Sequence, residues 1–136
     1  MSGYTKANLK SDVPDMAEGR MPPGIAAHFA KEALDCEKSG VTYFKLGPDF
    51  HPPFGHKHAE QEEIYVVISG NARVKVDDEE IELGALDAIR LAPEAMRALR
   101  GGPDGCEVIA FGAPKPPQMD VDMEPGWWPD PAGGSA

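Results

Sequence analysis

Two histidines one residue apart, His56 and His58, and a glutamate further on, Glu63, carry the clearest chemistry in the sequence. Imidazole nitrogens and a carboxylate are ligands for divalent transition metals. A set of two histidines and one carboxylate leaves coordination positions open for water or substrate. The spacing imposes a geometry. Side chains alternate along a strand with a period of two, so His56 and His58 share one face. After a short polar break, Glu63 opens an apolar run that ends at Gly70. On that run Glu63, Tyr65 and Val67 share one face, and Ile64, Val66 and Ile68 the other. If the histidines point to the first face, two imidazoles and a carboxylate converge on one point. An isolated His-x-His pair needs no metal to explain it; the glutamate and the apolar strand behind it favour a metal site here. His51, in the preceding loop, is the sequence-near replacement ligand and otherwise a loop histidine. Glu60 and Glu62 read as solvated, with Glu62 replacing Glu63 if the register slips by one. His28 carries no chemical signal.

The elements that must position these groups are short strands. Ser39-Gly40 signals a turn, and 41–46 is rich in strand formers. Residues 47–55, with Pro48, Pro52 and Pro53, form a loop that delivers the chain to His56. With Asp77-Asp78 as a two-residue turn, the next hairpin is fixed by register: Val74 faces Ile81 and Ala72 faces Leu83. That register also predicts two opposite-charge pairs, Lys75 with Glu80 and Arg73 with Glu82. Strands over 88–91, 96–100 and 106–111 follow, separated by Pro93-Glu94 and by Gly101-Gly102-Pro103-Asp104-Gly105. Short, evenly spaced strands with Gly/Pro turns indicate a closed or sandwiched all-β fold.

Composition sets the outer bounds. A chain of 136 residues is long enough for one core and too short for two ordinary ones. The net charge of −10 argues against nucleic-acid or anionic-membrane partners. No N-terminal apolar stretch resembles a signal peptide, and no segment is long enough to span a bilayer. Cys36 and Cys106 form no Cys-x-x-Cys pair, which suits a reduced, cytoplasmic setting, although a disulfide between them stays open. Residues 1–24 read as an irregular arm. Beyond 113 the chain is Pro-rich and acidic, then presents Trp127-Trp128 before a Gly-rich end: an extended tail, but not one that is loose throughout.

His-x-His, four residues, Glu, six residues, Gly resembles the first motif of the cupin family, barrels of the double-stranded β-helix type. Residues 84–93, with Gly84, Asp87 and Pro93, read like the opening of the second motif. The resemblance covers roughly 41–113 and implies an all-β jelly-roll barrel over 25–113. It implies that His56, His58 and Glu63 are metal ligands and that Gly70 is the closing turn. The glycine usual six residues before the first histidine is replaced by Phe50. The family's fourth ligand, a histidine, falls at Arg97, and its asparagine at Gly101. Ile25, Phe29 and Ala33 at spacing four would suit a helix, whereas the resemblance implies an early strand around 26–30.

Arg97 divides the functional reading. A guanidinium stays charged and is no metal ligand. It can pair with Glu63 and close the site, stand beside a metal and hold an anionic substrate, or turn out to solvent. The first functional reading is therefore a divalent-metal protein (Fe, Mn, Ni or Zn on His56, His58 and Glu63) acting on or binding a small anionic molecule through Arg97, with Tyr65 lining the pocket. The second is a metal-free, non-catalytic ligand-binding or sensing domain with an Arg97–Glu63 pair. Ile64, Val66 and Ile68 would lie on the outside of an isolated barrel, at an unfavourable ~25 cal/mol per Å² of apolar area. A second subunit, the arm or the tail must cover them, and the resemblance implies a homodimer.

Overall fold

The computed structural model describes residues 3–114 and 120–131, which form eight strands and no helix. The remaining residues of the expected arm and tail lie outside the described residues. β1 is Ile25–Phe29, β2 Gly40–Leu46, β3 Phe54–His58 and β4 Glu62–Val76. β5 is Glu79–Leu83, β6 Ala88–Leu91, β7 Arg97–Ala113 and β8 Val121–Pro125. All pairings are antiparallel. The first segment is thus a strand, as the resemblance implied, and not a helical turn.

β4 and β7 are long enough to serve two layers. Their outer halves pair as β6–β4–β7–β2–β1, and their other halves as β5–β4–β7–β3–β8. The two layers face each other as a jelly-roll barrel. Leu46, Tyr65, Val67, Val74, Leu83, Leu91, Leu99 and Val108 from both layers fill the space between them, together with Phe50. Phe50 stands where the family has glycine, and it is buried under the chain at Gly24. Each such side chain contributes roughly 1.5–3 kcal/mol by leaving water.

Two expected turns are not turns. Gly70 does not end its strand: β4 runs through it, with register shifts at Val67/Ser69 and Gly70/Ala72. Likewise β7 continues through Gly101–Gly105, which the sequence reading used to separate two strands. Gly70 pairs with Cys106 and Ala72 with Gly101, so Asn71 alone faces residues 102–105. The resulting bulge is closed by side chain and backbone together. Asn71 Nδ2 donates to Asp104 Oδ2 at 3.0 Å, and Asp104 N donates to Asn71 Oδ1 at 3.2 Å. Bulges bend strands and increase twist, and here they let β4 and β7 pass from one layer to the other.

The β4–β5 hairpin has the expected register, Ala72 opposite Leu83 and Val74 opposite Ile81, with Asp77 at positive φ in the turn. Lys75 stands opposite Glu80 and Arg73 opposite Glu82, as expected, but neither pair closes into a salt bridge. Lys75 instead lies 3.8 Å from the centre of the Trp127 ring and donates to the Asp77 carbonyl. Arg73 reaches Glu80 at 3.6 Å and Asp49 at 3.4 Å. The reason is the C-terminal segment. β8 pairs with β3, and after Gly126 the chain crosses the outer face of that layer. Trp127 Nε1 donates to the Lys75 carbonyl at 2.9 Å. Trp128 is buried beneath the guanidinium groups of Arg73 and Arg100, and Arg100 forks onto Asp130 at 2.7 and 2.9 Å. That guanidinium holds the Asp130 carboxyl down at about 2.

Candidate metal centre

The sequence that makes β3 an alternating strand turns His56 and His58 into the barrel. Glu63 enters from β4 and Arg97 from the start of β7, where it is the direct cross-strand partner of His56. One atom of each of His56, His58 and Glu63 lies within 4.8 Å of the others. Glu63 Oε1 is the shared point, 3.3 Å from His56 Nε2, 3.2 Å from His58 Nε2 and 2.7 Å from Arg97 Nη2. Side-chain exposure falls from 24% at His56 through 14% at Glu63 to 7% at His58. The cluster therefore meets solvent at its His56 side.

Arg97 is wholly buried and spends its donors inward. Nη1 donates to the carbonyls of Ala92, Pro93 and Ala95 at 3.1, 3.3 and 2.8 Å, tying the β6–β7 turn over the site. His58 N donates to the same Pro93 carbonyl at 2.8 Å. Tyr65 is buried on the inner face of β4, where burial and the nearby Glu63 charge push its hydroxyl well above the ordinary range. It stays a neutral phenol at any working pH.

His58 is held from behind. Its Nδ1 donates to Asp120 Oδ1 at 2.8 Å, and Asp120 Oδ2 accepts from the backbone N–H groups of Glu60 and Gln61 at 3.0 and 3.3 Å. Burial would raise the Asp120 carboxyl, but these donors outweigh it and keep it at about 2. An ionised carboxylate only accepts, so neutral His58 must carry its proton on Nδ1. Its Nε2 is then a buried lone pair. At 3.2 Å from Glu63 Oε1 it is near enough for an ion pair but too poorly aligned for a hydrogen bond, and it has no hydrogen-bond partner. Burial likewise would raise the Glu63 carboxyl; the two imidazoles and Arg97 outweigh it and hold it far below the usual carboxylate range.

These features fit a divalent ion. Two donors each about 2.1 Å from one metal stand roughly 3.0–3.4 Å apart in octahedral or tetrahedral geometry, close to the 3.2 and 3.3 Å seen here. A ligating histidine that donates its other nitrogen to a carboxylate is the usual supporting arrangement. Arg97 is the feature that opposes the ion, by its charge and by its hold on Glu63 Oε1.

The remaining sequence candidates lie elsewhere. His51 is buried against Trp128, donates to the Pro52 carbonyl and sits 3.4 Å from Asp130. His28 donates to the Val13 carbonyl and packs on Tyr43. Glu62 points outward to Arg90, and both cysteines are free thiols. Asp120 was missed. Its one sequence signal is the acid/apolar alternation Asp120-Val121-Asp122-Met123 in a stretch otherwise read as tail.

No family model matches the chain, and no curated protein matches it. Solved structures do. A cupin protein from Bacteroides fragilis is 25% identical, with a TM-score of 0.69 over 88% of this chain and 91% of that one. KdgF from Halomonas sp. is 19% identical, with a TM-score of 0.65 over 85% of this chain and 97% of that one. Oxalate decarboxylase from Bacillus subtilis, 19% identical, aligns with a TM-score of 0.69 over 88% of this chain but only 32% of its own length. The two-layered barrel with His56, His58 and Glu63 turned into it is that of a cupin. The chain is similar in fold to these cupin proteins.

Proposed function

We propose that this protein binds one divalent transition metal, Fe, Mn, Ni or Zn, through His56, His58 and Glu63, and binds a small anionic molecule at the open positions of that ion. The observation that carries the reading is the buried His58 Nε2, which makes no hydrogen bond although it lies 3.2 Å from Glu63 Oε1, while Nδ1 on the far side is held by Asp120. A buried polar atom without a partner costs about 1–3 kcal/mol, and a bound ion removes that cost. Such an ion supplies a Lewis-acid centre for a ligand oxygen. Ionised Glu63 and Asp120, the Arg97 guanidinium and a divalent ion sum to +1, which favours an anion on the open side at His56. Arg97 contributes to this as a charge from beneath, with Nη1 committed to the Ala92–Ala95 turn and Nη2 to Glu63. Tyr65 closes the inner end beside it as a neutral wall.

A second reading has its own observation. Arg97 Nη2 at 2.7 Å from Glu63 Oε1 is a complete ion pair without any metal, as a non-catalytic binding domain would need. Elemental analysis and calorimetric titration with Zn²⁺ and Mn²⁺ separate the two. The metal reading expects one equivalent of ion on the wild type and a loss of affinity of at least about 100-fold in His58→Ala, more than the about 10–100-fold of losing a ligand's support. Wild type that binds neither ion abandons the metal and leaves the paired site.

We also propose a homodimer through the outer face of the β6–β4–β7–β2–β1 layer. Ile64, Ile68 and Phe111 are 38%, 43% and 45% exposed there, and Ile64 and Phe111 are direct cross-strand neighbours. Light scattering should give a dimer for the wild type and a monomer for Ile64→Glu/Phe111→Glu. A wild type that is monomeric at micromolar concentration contradicts the pairing.

A further inference from the structure

The carboxylate that supports His58 comes from a segment fastened at its two ends and weakly between them. β8 has one ladder, to β3, and of its side chains Val121 is half-buried while Asp122, Met123, Glu124 and Pro125 are exposed. A five-residue edge strand that buries so little apolar surface has small stability of its own. At its start Asp120 takes three hydrogen bonds, from His58, Glu60 and Gln61. Beyond its end Trp127 covers Gly55, where a side chain would collide with the indole, and Trp128 and Asp130 close on Arg100 and His51.

We infer that residues 120–130 act as a strap that sets the affinity of the metal centre. Asp120 is a positioning residue that holds His58 with Nε2 bare, and the Trp128–Asp130–Arg100 clasp on the outer face keeps Asp120 seated. The inference rests on the proposed metal site and concerns how that site is tuned. Asp120 suits the role because both its oxygens are engaged by donors. An asparagine at this position must turn its NH₂ either towards the two backbone N–H groups or towards His58. Either choice unseats the residue or favours the wrong tautomer. The clasp suits its role because Arg100 is nearly buried and already anchored on Asp49 at 2.8 Å, so the fork it offers Asp130 is fixed in advance.

The test uses the full chain, Zn²⁺ as the probe, and two readouts. In Asp120→Asn, calorimetry should show Zn²⁺ affinity lower by about 10–100-fold, the range for losing a ligand's supporting carboxylate. In the metal-free proteins, nitrogen NMR of the His58 ring should show the Nδ1–H tautomer in the wild type and a mixture in Asp120→Asn, a signature that loss of stability alone does not produce. Asp130→Asn, a mild change at a partly exposed carboxylate, should give a smaller loss of affinity, and none beyond that of Asp120→Asn when the two are combined. Asp120→Asn binding Zn²⁺ as tightly as the wild type overturns the role of Asp120. Losses that add in the double variant, or no loss in Asp130→Asn, overturn the role of the clasp. A wild type that binds no Zn²⁺ removes the metal reading itself, and the tautomer measurement then still decides whether Asp120 orients His58.

Discussion

Arg97→Met should lower the unfolding free energy of the metal-free protein by about 3–5 kcal/mol, seen as a lower denaturant midpoint at unchanged slope. Methionine roughly fills the space of the arginine stem, so the loss is electrostatic and not that of a cavity. Glu63 keeps its charge and loses its closest partner, the Nη2 donor at 2.7 Å. Of the three carbonyls that Nη1 serves, Pro93 keeps the His58 N–H and Ala92 keeps the Ala95 N–H, but the Ala95 carbonyl loses its 2.8 Å donor. Removing one partner of a buried pair costs more than the pair is worth, because the other charge stays behind. The metal reading adds a second outcome. Zn²⁺ should restore more stability to Arg97→Met than it gives the wild type, since the ion replaces the lost positive charge beside Glu63. Arg97→His, which also places a nitrogen where the family's fourth ligand stands, should bind Zn²⁺ at least about tenfold more tightly than the wild type, about 1.4 kcal/mol. A destabilisation under about 1 kcal/mol would mean the Arg97–Glu63 pair is not the neutralising contact it looks to be. Equal affinities of wild type and Arg97→His would mean that the guanidinium does not oppose the ion.

The inner side of this site was legible because its signals are local. The period of two puts His56 beside His58 and Glu63 above Tyr65 and Val67, and the hairpin register followed from matching apolar pairs across Asp77-Asp78. What failed was whatever depends on chain far away. Gly101–Gly105 reads as a turn by punctuation, yet its glycines serve close approach: a Cβ on Gly101 would lie 2.3 Å from the Gly47 carbonyl oxygen, and one on Gly102 would lie 2.2 Å from Asn71 Oδ1. Lys75 keeps its place opposite Glu80, but its ammonium turns to the ring of Trp127, 52 residues on. Asp120 reaches His58 across 62 residues, and no local pattern marks an aspartate for that task. Arg97 falls between these cases. Its place at the fourth-ligand position came from the motif, while its choice of Glu63 and the Ala92–Ala95 turn depended on how the two layers close.

Gly70→Ala should be among the most damaging single substitutions in the chain, because two separate costs meet at one atom. Gly70 has φ +73°, a left-handed conformation in which a Cβ alone costs about 1–2 kcal/mol. That Cβ would also lie 2.2 Å from the Gly105 carbonyl oxygen, 3.0 Å from its carbon and 3.1 Å from Cys106 Cα. All three are backbone atoms of β7, so no side chain can swing away to make room. Relief requires moving β4 from β7 at the shift where both strands pass between the layers, and the core around Val67 and Val108 moves with them. A total of at least about 3 kcal/mol is expected from strain and lost packing together. In a chain of this length that is a fall in melting temperature on the order of 10 °C. Gly126→Ala is the control: Gly126 has φ +68°, but nothing stands within 4 Å of its Cβ position. It should lose no more than the about 1–2 kcal/mol of the backbone conformation. Thermal melts of the two variants side by side isolate the close approach, and a Gly70→Ala protein that melts with Gly126→Ala would show that β4 and β7 do not need it.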